Sequence, residues 1–269
     1  TMTANISLGQ FLPGNSSVHR LDPRTKILLM VVYIVIVFYV KTLWVFALPT
    51  ALLLAMFAFA RVPASYFGSS LKPMKWLLVF MFVLNLFATP GNTVLFQWKF
   101  IRLTQEALEQ AVYITLRLVL LVAGTSILTL TTSPIALTDG LEKLMSPLRK
   151  LHFPAHELAM MMTIALRFIP TLLEETDRIQ KAQMARGADF ESGNLFQRAK
   201  SMIPILVPLF VSAFRRADEL AMAMESRCYH GGEGRTRMRE LHFHAGDLIA
   251  TLLLLFVLAG IIVLEKLPL

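Results

Sequence analysis

Four apolar runs, at about 27–40, 43–60, 76–89 and 107–131, and a fifth at 248–263, are what any fold of this chain must first accommodate. Hydrocarbon offers backbone amides no partner, so runs of this kind cross a bilayer as helices, which pair their own N–H and C=O groups. Two of the runs are short for a hydrocarbon core of about 30 Å, so their polar flanks must snorkel or the local bilayer must thin. The expected class is all-α, a multi-pass membrane protein with about five spans. A composition of 55% hydrophobic and 16% charged residues over 269 positions places it in the same class.

A net charge of +8 could point to nucleic acid, but nucleic-acid-binding proteins seldom carry runs that span a bilayer, and no nucleic-acid partner is expected. The bilayer is the expected partner. The single cysteine, Cys228, can form no internal disulfide and belongs to no metal-ligand spacing. Residues 1–26 are polar and lack the continuous apolar core of a signal peptide, so no cleaved leader is expected.

Basic residues set the orientation. With five spans and the amino terminus inside, the inner segments hold Arg20, Arg24, Lys26, Arg61, Lys72, Lys75 and the fifteen Lys and Arg residues from Lys143 to Arg239. The outer segments hold only Lys41, Lys99, Arg102 and Lys266, which is the asymmetry that the positive-inside rule requires. Residues 133–246 change texture: their apolar stretches are short and broken by Arg167 and Pro170, then by Pro204 and Pro208. If both stretches crossed, the basic segment between them would lie outside, so the whole region is expected to be cytoplasmic. The expected divisions are a four-span membrane domain at 1–132, a cytoplasmic helical region at 133–246 and a last span within 247–269.

The cytoplasmic region reads as three helices. Ser133-Pro134 is a cap followed by proline at the first helical position, opening a short amphipathic helix towards Lys150. Pro154 opens a second, running to Arg186 with a kink at Pro170, and a third runs from about Leu195 to Arg227, bent near Pro204 and Pro208. Leu158, Ala165, Leu172, Ile179 and Arg186 recur by sevens, as do Ala199, Leu206, Ala213, Leu220 and Arg227. A seven-residue step returns to nearly the same face, so each row is expected to be an apolar seam that ends in a cation.

Catalytic chemistry is not legible. No phosphate-binding G-x-x-x-x-G-K-[ST] run occurs, and Gly231, Gly232 and Gly234 do not sit between a strand and a helix, so no nucleotide cofactor is expected. His152 and His156 have the spacing of a helical metal pair, but Pro154 between them indicates a capped turn and no third ligand adjoins. No metal is expected. No residue stands in a context that names a nucleophile or an acid–base pair, so the chain is not read as an enzyme. Arg117 falls inside the fourth span, either as a transport or coupling residue or as an arginine buried among helices and bonded to carbonyls or to a polar residue such as Asn85.

Five segments in order resemble the transmembrane (T) component of energy-coupling factor transporters: Leu12-Pro13-Gly14 with Ser17, the run from His19 to Lys26, Ala165-Leu166-Arg167-Phe168-Ile169-Pro170-Thr171, Gln183 to Gly187, and Met224 to Arg227. The likeness runs nearly end to end. It implies a non-catalytic scaffold in the cell membrane beneath which two ABC-type ATPase subunits bind, hydrolysing ATP themselves. It implies also a small membrane-embedded S component that captures a vitamin or other micronutrient. Two coupling helices of that family end in tripeptides that enter grooves on the ATPases. Ala185-Arg186-Gly187 matches the first and Ser226-Arg227-Cys228 the second, with cysteine where glycine is expected. The alternative is a conventional ABC importer permease that binds substrate within its own spans.

Overall fold

In the computed structural model the described residues are 11–90, 93–98, 101–151, 153–190, 194–231 and 241–266. They divide into two compact units, one holding 11–141 with 241–266 and the other 142–231.

The first unit is a bundle of apolar helices. Helix α1 (Pro23–Tyr39) starts where the sequence places a cap: the Asp22 side chain accepts a bond from the Arg24 amide at 2.8 Å and Pro23 occupies the first turn, where its missing N–H costs nothing. A 3-10 turn at Leu43–Phe46 leads into α2 (Ala47–Ala60), which ends at Arg61 in a left-handed conformation. Next come α3 (Ala64–Leu71) and, after one 3-10 turn, α4 (Lys75–Ala88). A two-stranded antiparallel hairpin, β1 (Val94–Trp98) and β2 (Ile101–Thr104), precedes α5 (Gln105–Thr131), whose first turn is capped by the Thr104 hydroxyl. The chain is all-α in class, and this hairpin is a small addition that hydropathy did not announce. Helix α6 (Pro134–Met145) opens on the expected cap, with the Ser133 hydroxyl accepting from the Ala136 amide at 3.2 Å, and α10 (Ala245–Lys266) closes the described chain.

Among the described residues five helices are long and apolar enough to cross a membrane: 43–60, 65–88, 105–131, 155–185 and 245–266. Four of them contain expected spans. Helix α1, at 17 residues, is just too short to join them by length, although it lies at the centre of the bundle: Ile36, Val37 and Val40 are wholly buried with Phe46, Leu53 and Ile261. Its fit to α5 depends on Gly124, where any Cβ would collide with the Tyr33 ring. Arg117 makes carbonyl bonds of the kind named in the second of its two expected readings. Its guanidinium donates to the Val40 carbonyl at 3.0 Å and lies over the rings of Tyr113 and Phe38, capping the negative end of α1, while Asn85 bonds its own helix at Met81.

At the opposite end of α1 the unit is tied by charge. Lys26 Nζ donates to the carbonyls of His19 and Thr131 at 3.2 and 3.0 Å and to the Thr132 hydroxyl at 3.2 Å. One Asp247 oxygen accepts from the Asp22 amide and the other from the His244 amide, both at 2.8 Å. The segment before α1, the end of α5 and the start of α10 are thereby joined through buried groups, Lys26 being 7% exposed and both aspartates 4%. Removing the ammonium leaves three acceptors without their donor, so Lys26→Met is expected to cost about 3 kcal/mol. Thermal unfolding of the detergent-solubilised chain checks this, and a midpoint equal to the wild type's would contradict it.

The second unit is built on two long helices. Helix α7 (Ala155–Ala185) continues through Pro170 without a break in its assigned span. The expected third helix is two: α8 (Leu195–Ser201) stops at Met202 and α9 (Ile203–Glu225) restarts with Pro204 in its first turn. The break precedes the prolines because Pro204 has no N–H to continue the ladder from α8, yet suits the opening turn of a new helix.

Candidate docking tips

Both long helices end in the same turn. At the end of α7 the Ala188 amide donates to the Gln183 carbonyl at 3.0 Å and the Gly187 amide to Met184 at 2.9 Å. At the end of α9 the Tyr229 amide donates to Met224 at 3.0 Å and the Cys228 amide to Glu225 at 2.9 Å. These paired bonds, one spanning five residues and one spanning three, satisfy the last carbonyls of a helix when the residue after the cap turns left-handed. Gly187 does so at φ 89° and Cys228 at φ 55°. Arg186 and Arg227 therefore occupy the same place in the turn, one residue before the left-handed position.

All six tip residues, Ala185, Arg186, Gly187, Ser226, Arg227 and Cys228, are exposed. Neither guanidinium has a hydrogen-bond or ion-pair partner among the described residues. Each presents a planar fork of donors suited to a carboxylate, at a helix end whose partial negative charge already favours a cation.

The two helices run antiparallel. Arg216 donates to Glu175 at 2.8 Å, and Gln183 to the Pro204 carbonyl at 3.4 Å, so position rises along one helix as it falls along the other. From Glu175 to Arg186 and from Arg216 to Arg227 is the same eleven residues, which puts each tip about 16 Å beyond the ion pair, in opposed directions.

The rows spaced by seven are not continuous buried seams. Ala165 and Leu206 are exposed, and Ala199 lies on α8, across the break from the rest of its row. The drift of about 20° per heptad carries such a row around a straight helix over four heptads. What lines up on α9 is Ile203, Leu206, Val207, Phe210, Val211 and Phe214, at successive steps of three, one, three, one and three. All are at least 46% exposed, and Phe214 reaches 70%. Ser212 is buried on another side of the helix. Met161, Met162, Met202 and Met222 are exposed as well.

Of the histidine pair, His156 Nδ1 faces Glu142 at 3.1 Å, and His152 lies outside the described residues. Gly232 and Gly234 lie outside them too. Among the described residues no cluster of three metal-ligating side chains occurs.

Cys228 carries the cost of its backbone. A residue with a Cβ is less stable than glycine in the left-handed region by about 1 kcal/mol, so Cys228→Gly is expected to stabilise the end of α9 by up to that amount. Gly187→Ala should cost a similar amount at the end of α7. Hydrogen exchange at the amides of residues 225–229 measures the first, and faster exchange in Cys228→Gly would contradict it.

A family model described as cobalt transport protein (CbiQ) matches residues 14–238. Curated relatives named energy-coupling factor transporter transmembrane protein EcfT are similar along nearly the whole length. That of Thermosediminibacter oceani is 56% identical over 245 residues, covering 91% of this chain and 92% of the relative. That of Bacillus subtilis is 48% identical over 261 residues, covering 97% and 98%. That of Thermanaerovibrio acidaminovorans is 51% identical over 267 residues, covering 99% and 98%. With helices fit to cross a membrane and this likeness running through both units, the chain belongs to the family of energy-coupling factor transporter transmembrane proteins.

Proposed function

We propose that this chain is the scaffold that carries ATP-driven motion from two ABC-type ATPase subunits to a substrate-binding S component, for uptake of a vitamin or other micronutrient across the cell membrane. The observation that carries the reading is the pair of helix ends with the same bonding pattern, each offering an exposed guanidinium without a partner among the described residues. One such end is an ordinary cap. Two, aimed in opposed directions from a common ion pair, fit two separate ATPases that open and close against each other.

The other partner fits the stripe on α9. Six large apolar side chains on one face are costly to leave in water and suit a small membrane-embedded protein that docks and leaves, because an all-apolar contact needs no buried polar group to be re-paired. A permease that binds its own substrate is less well supported. Arg117, the charge nearest the middle of α5, is engaged by the end of α1.

The second unit is cytoplasmic in this reading, with α7 lying along or under the membrane although its length would let it cross. Glu174, Glu175, Asp177, Arg178 and Lys181 crowd its second half, which favours water. Cysteines introduced at Arg178 or Arg198, in a Cys228→Ser background, should react with an impermeant thiol reagent in inverted vesicles and not in intact cells. Reaction in intact cells would overturn the placement. Co-purification from the native membrane should then recover two ATPase subunits and an S component with this chain, and recovery of the chain alone with bound substrate would favour the permease.

A further inference from the structure

Within the first unit α1, α2, α5 and α10 enclose a cavity of about 460 Å³, lined among others by Met30, Tyr33, Met56, Ile127, Ala250 and Leu254. It is not sealed. Phe59, Ile249 and Leu253 also line it, yet are 64%, 63% and 46% exposed, so its mouth opens between α2 and α10 on the outer surface of the helix bundle. In a membrane protein that surface meets hydrocarbon.

The lining decides what can fill the space. Its buried polar side chains are already bonded within the protein: Tyr33 donates to the Leu120 carbonyl, Thr131 to Ile127, and Lys26 to three acceptors. Water needs two to four polar partners to occupy a cavity, and this one offers almost none beyond Ser17 at its edge. Vacancy is no better, because every lining atom then forfeits dispersion contacts on one side. Hydrocarbon alone satisfies both conditions. The cavity also lies at a definite depth, since Lys26 is in the first turn of α1, Thr131 ends α5, Gly246 begins α10 and Phe59 is near the end of α2. Those four ends share one side of the unit, the side of the amino-terminal segment.

We propose that this cavity is a binding cleft for one acyl chain of a phospholipid from the leaflet on that side. The tail enters between α2 and α10 and completes the core between α1 and α5. Arg61, exposed at the end of α2 two residues beyond Phe59, stands where the phosphate of such a lipid lies. The chain so held is a structural element of the bundle, in contrast to the lipids that slide past the exposed face of α4.

The test uses the full chain in proteoliposomes containing phosphatidylglycerol with a photoreactive diazirine midway along one acyl chain. After irradiation and peptide mapping, adducts are expected on Met30 and Met56 inside the cleft, as well as on Phe80, which is 61% exposed on α4. Ala250→Trp should fill the cleft, with loss of the Met30 and Met56 adducts and retention of those at Phe80. If Ala250→Trp fails to insert, Met56→Trp supplies the bulk from the facing wall and Met30 is read. Labelling of Phe80 without Met30 and Met56 in the wild type overturns the proposal. So does labelling of Met30 that persists unchanged in the filled variant.

Discussion

Charge reversal at either helix tip is expected to abolish uptake. Arg186→Glu should release the ATPase held by α7, Arg227→Glu the one held by α9, and the double variant both, with the chain still folded in the membrane. The side chains are exposed and make no bond among the described residues, so the fold loses little by the change. A guanidinium docked on a buried carboxylate is another matter. Replacing it with a like charge forfeits a charge-assisted bond and strands its partner, at about 2 to 5 kcal/mol or more. Pull-down of each ATPase on each variant reads the effect. Wild-type uptake in either single variant would reduce that tip to a helix cap.

A single acidic residue in the α9 stripe should be nearly as damaging by a different route. Phe210 stands in the middle of the row, 61% exposed, flanked by Val207 and Val211. If the S component covers it, Phe210→Asp buries an unpaired carboxylate in an apolar contact, a change worth several kcal/mol and so at least a hundredfold in affinity. Uptake should fail while both ATPases stay attached, which separates this variant from the tip variants. Phe210→Leu, which keeps the surface apolar, should retain most activity. An unimpaired Phe210→Asp would mean that the stripe meets only solvent or lipid.

How much of this could be read in advance depends on the range of the interactions. Asp22-Pro23 and Ser133-Pro134 act on amides two or three residues away, and both were legible as helix starts. So was the pairing of the tips, since Ala185-Arg186-Gly187 and Ser226-Arg227-Cys228 can be laid side by side by eye. The tie at Lys26 was not, because its acceptors at Thr131 and Thr132 are more than a hundred positions distant. The third helix expected within 133–246 is two because of one missing amide, that of Pro204, which turns a bend into a stop and restart. Counting by sevens obscured the α9 stripe, because one residue per two turns samples a face too thinly to distinguish a seam that faces a neighbour from one that faces outward. The hairpin at 94–104 was hidden between two strongly apolar helices. Its two strands are too short to shift a hydropathy average.

The left-handed turn at Cys228 gives the most direct test of docking, because it places the only thiol of the chain beside Arg227, exposed and one residue past the cap. The rate at which a small maleimide modifies Cys228 should be high in the isolated chain and fall sharply in the assembled transporter. Ala185→Cys in a Cys228→Ser background reports on the α7 tip in the same way. Protection of both thiols on assembly, each lost when the neighbouring arginine is reversed, is the result expected of two tips seated in two ATPases. Equal modification rates in the free and assembled states at either position would contradict it.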